Sequence, residues 1–247
     1  MKNKKVFWII VLFIIILTIG LSIYILKNNK ENDDITINTP NISKNLFSVN
    51  VPEGIKTEIA YIQNNNYLAI VFENKTNENI SSGKLKVVIG NKEIEKRLEL
   101  LPIGKKAIFK IAVPNELKDT INKSKVTISL NEIKSSNDFS FIDVDKINNT
   151  KTNVSVIENN TNIKINGINK TGEDLNALIG FVVLYNNNNK IVGADSIRIE
   201  NIKNNSQFEK NITIPKIMIP SSDLTPDKIN YGKVNYEKIE VYYTYAY

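Results

Sequence analysis

The side chains that could do chemistry in this chain are carboxylates, amines and phenols, because its 247 residues include no histidine and no cysteine. Histidine is the commonest general base and metal ligand, and thiolates are the other main ligands of structural metal sites. Serine precedes lysine at Ser43-Lys44 and Ser124-Lys125, but neighbours on a strand point to opposite faces and do not activate each other. The sequence therefore predicts a protein with no catalytic residues and no cofactor.

An acidic cluster lies near the middle of the chain. Asp143 and Asp145 alternate around Val144, and Asp138 lies close by. Several oxygen ligands together can hold Ca²⁺ in extracellular modules. Two alternating aspartates on an exposed strand face need no ion, and we predict no metal site here.

The last residues of the chain are rich in tyrosine. In the run from Val241 to Tyr247, a period of two places Tyr243, Tyr245 and Tyr247 on one face of a strand. An exposed row of rings could stack on sugars or hold a protein interface. Tyrosine is also a favoured strand residue, so burial of one face is the alternative. We take the three rings as a candidate ligand or partner surface.

A second candidate surface lies in the long segment 216–235. It contains Pro220, Pro226 and an apolar tip formed by Ile217, Met218 and Ile219. Long loops on a rigid scaffold are where recognition usually occurs. A long crossover lying on the edge of a sheet is the alternative.

Elements that position these residues are predicted from the apolar pattern beyond residue 45. Apolar residues recur there in short runs that are rich in Ile and Val and bounded by Gly, Pro, Asn or Ser. Such runs are typical of antiparallel sandwiches and barrels, so the sequence predicts an all-β fold. The runs in the first part of the chain are Leu46–Val51, Thr57–Gln63, Tyr67–Glu73, Lys84–Ile89, Glu93–Leu98, Lys106–Val113 and Lys125–Ile133.

The second part of the chain repeats the first. Asn74–Glu78 (NKTNE) aligns with Asn169–Glu173 (NKTGE) at an offset of 95, and Val113-Pro114 aligns with Ile214-Pro215 at an offset of 101. The offset grows across turn-like segments, as expected when loops lengthen and strands do not. The short polar side chains of the NKT motif suit a turn. The predicted β-sandwich domains are residues 46–135 and 137–247, and a single larger sandwich is the alternative.

The segment Phe181–Gly193 (FVVLYNNNNKIVG) resembles the FxLYD domain of bacterial surface proteins. Leu184 and Tyr185 match the end of its signature strand, and Asn186 replaces its aspartate. Asn189 takes the place of a turn glycine, which asparagine can do because it tolerates a positive φ. The resemblance implies two tandem immunoglobulin-like sandwiches, the first a diverged copy, and it implies a surface location without catalytic residues.

The N-terminal run from Val6 to Leu26 is apolar and uncharged. Its length as a helix, about 30 Å, matches the hydrocarbon core of a bilayer. We therefore predict a transmembrane anchor at 6–26, a cytoplasmic N-terminus at 1–5 and a polar stalk at 27–45. A cleaved signal peptide is the alternative, but the run is longer than a usual signal-peptide core and no A-x-A-like site follows.

The charge distribution agrees with this orientation. Five lysines that flank the apolar run account for most of the formal net charge of +6, which leaves +1 for the rest of the chain: Lys2, Lys4, Lys5, Lys27 and Lys30. The side with more basic residues stays in the cytoplasm, so the bulk of the chain is predicted to be extracytoplasmic. A net charge so close to neutral in the rest of the chain does not indicate a basic surface for nucleic-acid binding.

These patterns predict a single-pass membrane protein of the cell surface. Its two domains would serve binding, adhesion or envelope scaffolding. The expected partners are the lipid bilayer, through residues 6–26, and a protein or the cell wall. The alternative is an accessory subunit of a membrane machine for secretion, transport or sporulation.

Overall fold

The computed structural model describes residues 35–37, 47–62, 66–117, 121, 125–136, 141–157, 160–214, 217–219, 230–232 and 236–247. The chain divides into two compact units, residues 1–36 and 37–247, and the described part of the first is Ile35 and Thr36. The predicted anchor at 6–26 and most of the predicted stalk lie outside the described residues. Within the described residues, we find no helix with the length and apolarity needed to cross a bilayer.

Strands make up nearly all of the described structure, as the recurrent Ile and Val residues predict. Two short 3-10 helices, Asn115–Leu117 and Val144–Lys146, interrupt them. The strands are β1 (Ile35–Ile37), β2 (Phe47–Asn50), β3 (Ile55–Ile62), β4 (Tyr67–Asn74), β5 (Ile80–Ile89), β6 (Lys92–Leu98), β7 (Lys106–Ala112), β8 (Val126–Ser135), β9 (Ile147–Ile157), β10 (Asn160–Asn169), β11 (Leu175–Tyr185), β12 (Ile191–Ile202), β13 (Gln207–Ile214), β14 (Ile217–Ile219), β15 (Asn230–Gly232) and β16 (Lys238–Ala246).

The strands from β2 onward fall into a first half, β2–β8, and a second half, β9–β16. In the first half, sheet A contains β3-β4-β7 in that order and sheet B has the order β2-β8-β5-β6. In the second half, sheet C has the order β12-β11-β16 and sheet D the order β13-β10-β9, while β14 and β15 pair with each other. Strand β2 pairs parallel with β8, and the other ladders of these sheets are antiparallel.

Apart from β2, which has no counterpart in sheet C, the two halves share one strand order, so sheet A corresponds to sheet D and sheet B to sheet C. The NKT turns that suggested the repeat have the same geometry in both halves. Asn74 and Asn169 are fully buried at the ends of β4 and β10. Each side-chain oxygen accepts bonds from the backbone N–H and the hydroxyl of the threonine two residues on, Thr76 or Thr171, at 2.6 to 3.1 Å. The predicted turn is confirmed in both copies.

The amide nitrogen of each buried asparagine joins two loops. Asn74 Nδ2 donates to the carbonyl oxygens of Glu78 at 2.8 Å and Leu101 at 2.9 Å. Asn169 Nδ2 likewise donates to Glu173 at 2.8 Å and to Lys203 at 3.2 Å. A buried polar side chain with all its bonding positions used is stable in an apolar core. Each asparagine therefore fastens the turn before the central strand of sheet B or C to the loop that leads into β7 or β13.

Sheets A and C pack face to face and join the two halves. Strand β4 is buried on both sides: Leu68 and Phe72 are fully buried on one face, while Ala69 on the other belongs to an apolar cluster with Phe181 and Val183 of β11. Strands covered on both faces are near-continuous apolar runs, which is the pattern of both β4 and β11. The other face of sheet C forms the core of the second half with sheet D.

Polar contacts fix the relative position of the halves. The Tyr67 hydroxyl accepts a bond from the backbone N–H of Ala194 at 3.1 Å, inside the apolar interface. Lys110 pairs with Asp195 at 3.1 Å, and both side chains are about one-third exposed. These contacts specify one register between sheets A and C, in addition to the apolar packing.

The turn between β11 and β12 has the geometry that its asparagines predict. Asn189 has φ +54°, which confirms the predicted left-handed position. The Asn186 side chain accepts bonds from the backbone N–H groups of Asn188 at 3.0 Å and Lys190 at 2.9 Å. An asparagine in place of aspartate thus makes the same local turn.

Candidate functional site

The position of the C-terminal tyrosines is set by a β-bulge opposite Gly180. The register between β11 and β16 shifts there, so that Gly180 pairs with Tyr243 and Ile179 pairs with Tyr245. The backbone of β16 comes so close that a Cβ on Gly180 would lie 2.2 Å from the carbonyl oxygen of Tyr242. Glycine at this position therefore permits the bulge.

The bulge corrects the prediction that Tyr243, Tyr245 and Tyr247 share one face. Tyr243 packs against the core between sheets C and D, where its ring lies edge-to-face with Phe208. Tyr245 and Tyr247 lie on the opposite side of the strand, with ring centroids 6.3 Å apart. The prediction failed because an extra residue in a strand inverts the alternation beyond it.

Tyr245 and Tyr247 form a ring pair at the end of the interface between the halves. Tyr245 is buried, and its hydroxyl donates to a carboxylate oxygen of Glu99 in the first half at 3.0 Å. Tyr247 is 46% exposed and accepts a bond from Arg198 Nη2 at 3.0 Å. Arg198 also donates through Nε to Glu200 at 2.8 Å. The ring pair thus connects charged groups from both halves.

Both arginines of the chain occupy corresponding positions in the two halves. Arg97-Leu98-Glu99 and Arg198-Ile199-Glu200 share one pattern at an offset of 101, which is also the offset of the Val-Pro and Ile-Pro pairs. Arg97 lies opposite Lys84, and Arg198 lies opposite Ile179, the residue that corresponds to Lys84 at an offset of 95. The chain contains 32 basic residues in all, so a repeated arginine among lysines is a specific signal.

A cleft of about 250 Å³ brings these groups together. It lies between the halves, and its lining includes Phe109 and Phe181 as well as both arginines and Tyr245. The sequence analysis missed the Arg-x-Glu repeat, although its two copies could have been found from the shared spacing alone. We call this site the inter-half cleft.

The chemistry of the inter-half cleft is that of hydrogen bonding and ring contact. Burial, and to a smaller extent the hydrogen bond to Glu99, raises the pKa of the Tyr245 hydroxyl well above its usual range. The hydroxyl therefore stays protonated at neutral pH and donates a bond instead of acting as a base. The bond to Glu200 similarly raises the pKa of Arg198 and keeps it cationic. Tyr and Arg are the side chains that most often dominate binding at protein interfaces.

The other candidate surface belongs to a separate element. Ile217, Met218 and Ile219 form β14, which pairs antiparallel with β15 in a sheet that shares no strand with sheet C. The predicted apolar tip is thus a strand of a two-stranded ribbon. The structure does not join this candidate to the tyrosines in one sheet.

The acidic cluster has structural roles. Asp143 caps the 3-10 helix Val144–Lys146 by accepting a bond from the backbone N–H of Asp145 at 2.9 Å, so these residues do not form the exposed strand that the pattern predicted. Asp145 pairs with Lys105 of the first half. Asp138 lies outside the described residues. In the parts of the chain that the structure describes, no group of three or more His, Cys, Asp or Glu side chains could hold a metal ion.

Comparisons with known proteins give distant structural similarity alone. No family model and no curated protein matches the chain. A transglutaminase of red sea bream superposes with a TM-score of 0.19 at 7% identity, over 66% of this chain and 27% of that one. A structure from a study of host cell surface retention of a bacterial ice-binding adhesin gives a TM-score of 0.19 at 10% identity, over 64% of this chain and 53% of that one. Superpositions this weak carry no argument about function.

Proposed function

We propose that this chain is a single-pass membrane protein that presents two immunoglobulin-like domains outside the cytoplasm and acts by binding, without catalysis. The apolar run at 6–26 supports the anchor, and the shared strand order of the halves supports two domains of one fold. The resemblance of Phe181–Gly193 to the FxLYD domain favours the immunoglobulin-like class. The single observation that carries the binding role is the inter-half cleft.

A protein partner fits the inter-half cleft better than a neutral sugar does. The exposed ring of Tyr247 is already engaged by Tyr245 and Arg198. A sugar would need a free ring face, whereas a protein can use the exposed guanidinium and phenol groups around the cleft. This chemistry favours the adhesion or scaffolding role through a protein, and it equally suits docking to a membrane partner as an accessory subunit.

Site-specific photo-cross-linking on intact cells tests the binding role. A photoreactive phenylalanine replaces Tyr247, which bonds to Arg198 beside the cleft, and a matched variant carries it at Thr213, on the exposed face of sheet D. We expect a discrete cross-linked protein from position 247 and none from position 213. A stoichiometric membrane protein supports the accessory-subunit role, and host or wall protein supports adhesion. Equal products at both positions, or none at 247, contradict binding at the cleft.

Protease added to whole cells tests the topology. The proposed orientation exposes residues 27 onward, so external protease should digest most of the chain without lysis. Protection in whole cells and digestion after lysis would contradict the orientation and the surface role together.

A further inference from the structure

The exposed face of sheet B is the counterpart of a covered face in sheet C. In sheet C this face carries Ile179 and Phe181, and Phe181 packs against sheet A. At an offset of 95 the corresponding residues of β5 are Lys84 and Lys86. The same face that joins the halves in sheet C is therefore charged and open to solvent in sheet B.

Cations accumulate at one end of this face. Lys84 and Arg97 lie directly opposite each other on β5 and β6, a placement of like charges that is unfavourable by itself. Lys84 is neutralised by Glu95 at 2.7 Å and Glu132 at 3.8 Å. Within the described residues, Arg97 has no ion pair and no side-chain hydrogen bond, and the carboxylate of its own Arg-x-Glu motif, Glu99, accepts a bond from Tyr245.

Two more cations without an ionic partner among the described residues line the cleft beside Arg97. Lys134 lies opposite Ser82 on the Lys84 face, whereas Lys96 lies opposite Leu85 and borders the cleft from the edge strand β6. Lys96 and Lys134 are both exposed, and together with Arg97 and Lys84 they line an open cleft of about 510 Å³. Its carboxylates, Glu95 and Glu132, are the two already paired with Lys84. The surrounding half is basic too: residues 46–135 contain 14 Lys and Arg against 10 Asp and Glu. The cleft therefore has a positive charge that the described residues leave uncompensated.

We propose that this basic cleft binds a soluble anionic polymer with repeating phosphate groups. Arg97 offers the planar fork that matches two phosphate oxygens, and Lys96 and Lys134 supply point charges for neighbouring groups. A bilayer surface fits less well, because membrane-binding faces combine basic with apolar side chains. The exposed large apolar residues of the described structure are Ile103 and Tyr247, and neither lines this cleft.

Binding of labelled linear polyphosphate to the full chain, held in an uncharged detergent, tests the proposal by fluorescence anisotropy. The triple variant Lys96→Gln, Arg97→Gln, Lys134→Gln should weaken binding at least about tenfold and lower the slope of log Kd against log salt by about 2 to 3. The matched control Lys164→Gln, Lys170→Gln, Lys210→Gln removes the same charge from the second half and should change Kd by less than about twofold. A triple variant with Arg97→Lys in place of Arg97→Gln should recover part of the affinity, since lysine restores the charge at position 97 without the planar fork.

Three results would overturn the proposal. The first is an equal loss of affinity in both triple variants, which would indicate attraction by net charge alone. The second is tighter binding of polyglutamate than of polyphosphate, which would exclude phosphate as the preferred group. The third is an equal or greater affinity for vesicles of anionic phospholipid, which would favour a bilayer. Arg97 lines both clefts, whereas Lys96 and Lys134 line the basic cleft and not the inter-half cleft, so the double variant Lys96→Gln, Lys134→Gln tests the basic cleft separately from cross-linking at position 247.

Discussion

At the scale of single residues, each half depends on one buried amide. Asn74 and Asn169 each close an NKT turn and reach a second loop through the amide nitrogen. Alanine at either position would leave backbone groups without partners inside the protein, and that penalty exceeds the net gain from an ordinary hydrogen bond.

Asn169→Ala should lower the free energy of unfolding by about 2 to 3 kcal/mol, because several buried groups lose their partner. Urea unfolding followed by circular dichroism measures the change. Asn211→Ala is the control: Asn211 is exposed on β13, and its replacement should cost less than about 0.5 kcal/mol. Equal costs for both variants would show that the NKT turn does not depend on the buried amide.

Gly180→Ala tests the bulge that places Tyr243 and Tyr245 on opposite faces of β16. An added methyl group would lie 2.2 Å from the Tyr242 carbonyl oxygen, so one strand must move. We expect the free energy of unfolding, measured by thermal or urea denaturation, to fall by at least about 2 kcal/mol. The control Gly83→Ala adds a methyl group 3.4 Å from the nearest side chain and should cost less than about 1 kcal/mol. A tolerated alanine at 180 would mean that the bulge relaxes freely.

At the scale of elements, the period of two predicted the strands well and the sheet faces less well. The Ile- and Val-rich runs located β2 to β8, since alternation follows directly from strand geometry. The pattern failed at β16, where the bulge depends on the partner strand and cannot be seen in β16 alone. The apolar runs of β4 and β11 did contain a usable signal, because strands without polar alternation are covered on both faces.

The same dependence on distant strands explains why the candidate site was only partly predicted from the sequence. One of the predicted tyrosines, Tyr245, lines the inter-half cleft, and Tyr247 contacts Tyr245 and Arg198 beside it, whereas Tyr243 lies in the core. Arg97 and Arg198 were visible as the chain's two arginines, but their meeting depends on how sheet A packs on sheet C. Long-range packing of this kind is not encoded in local periodicity.

The buried hydroxyl of Tyr67, which joins β4 to β12, predicts that the stability of the fold decreases at alkaline pH. Burial raises the pKa of Tyr67 to about 12, from an ordinary value of 10. The folded state therefore favours the neutral phenol, so its stabilisation is complete below pH 10 and is lost as pH rises from 10 through 12. The size of this contribution is roughly 2 to 3 kcal/mol.

Tyr67→Phe isolates this contribution. At neutral pH the variant should be less stable by about 1 to 3 kcal/mol, because the backbone N–H of Ala194 loses its acceptor. Between pH 10 and 12 the wild-type chain should lose stability faster, so the difference should shrink. Urea unfolding at steps of half a pH unit measures it. A difference that stays constant up to pH 12 would contradict the raised pKa as a source of stability.

At the scale of the whole molecule, the halves pack through sheets that do not correspond. Sheet A of the first half covers sheet C of the second, and such a head-to-tail contact could in principle continue to a third copy. The remaining faces prevent this, because sheet B carries charged residues and sheet D carries polar ones such as Lys164 and Asn211. The two halves therefore form a closed pair.

A chain cut between its halves tests whether the pair holds without a covalent link. We place a protease site between residues 136 and 141 of the full chain and cleave it after folding. Because sheets A and C bury Ala69, Phe181 and Val183, with Lys110 paired to Asp195 at the margin, the two pieces should co-elute in gel filtration. Val183→Lys would bury an unpaired charge in this interface, so the cut variant should separate into two peaks. A control, Lys164→Gln on the open face of sheet D, should leave the pair intact. If the cut wild-type chain separates as readily as the Val183→Lys variant, the contact between sheets A and C is too weak to fix the inter-half cleft, and a binding site that needs both halves fails with it.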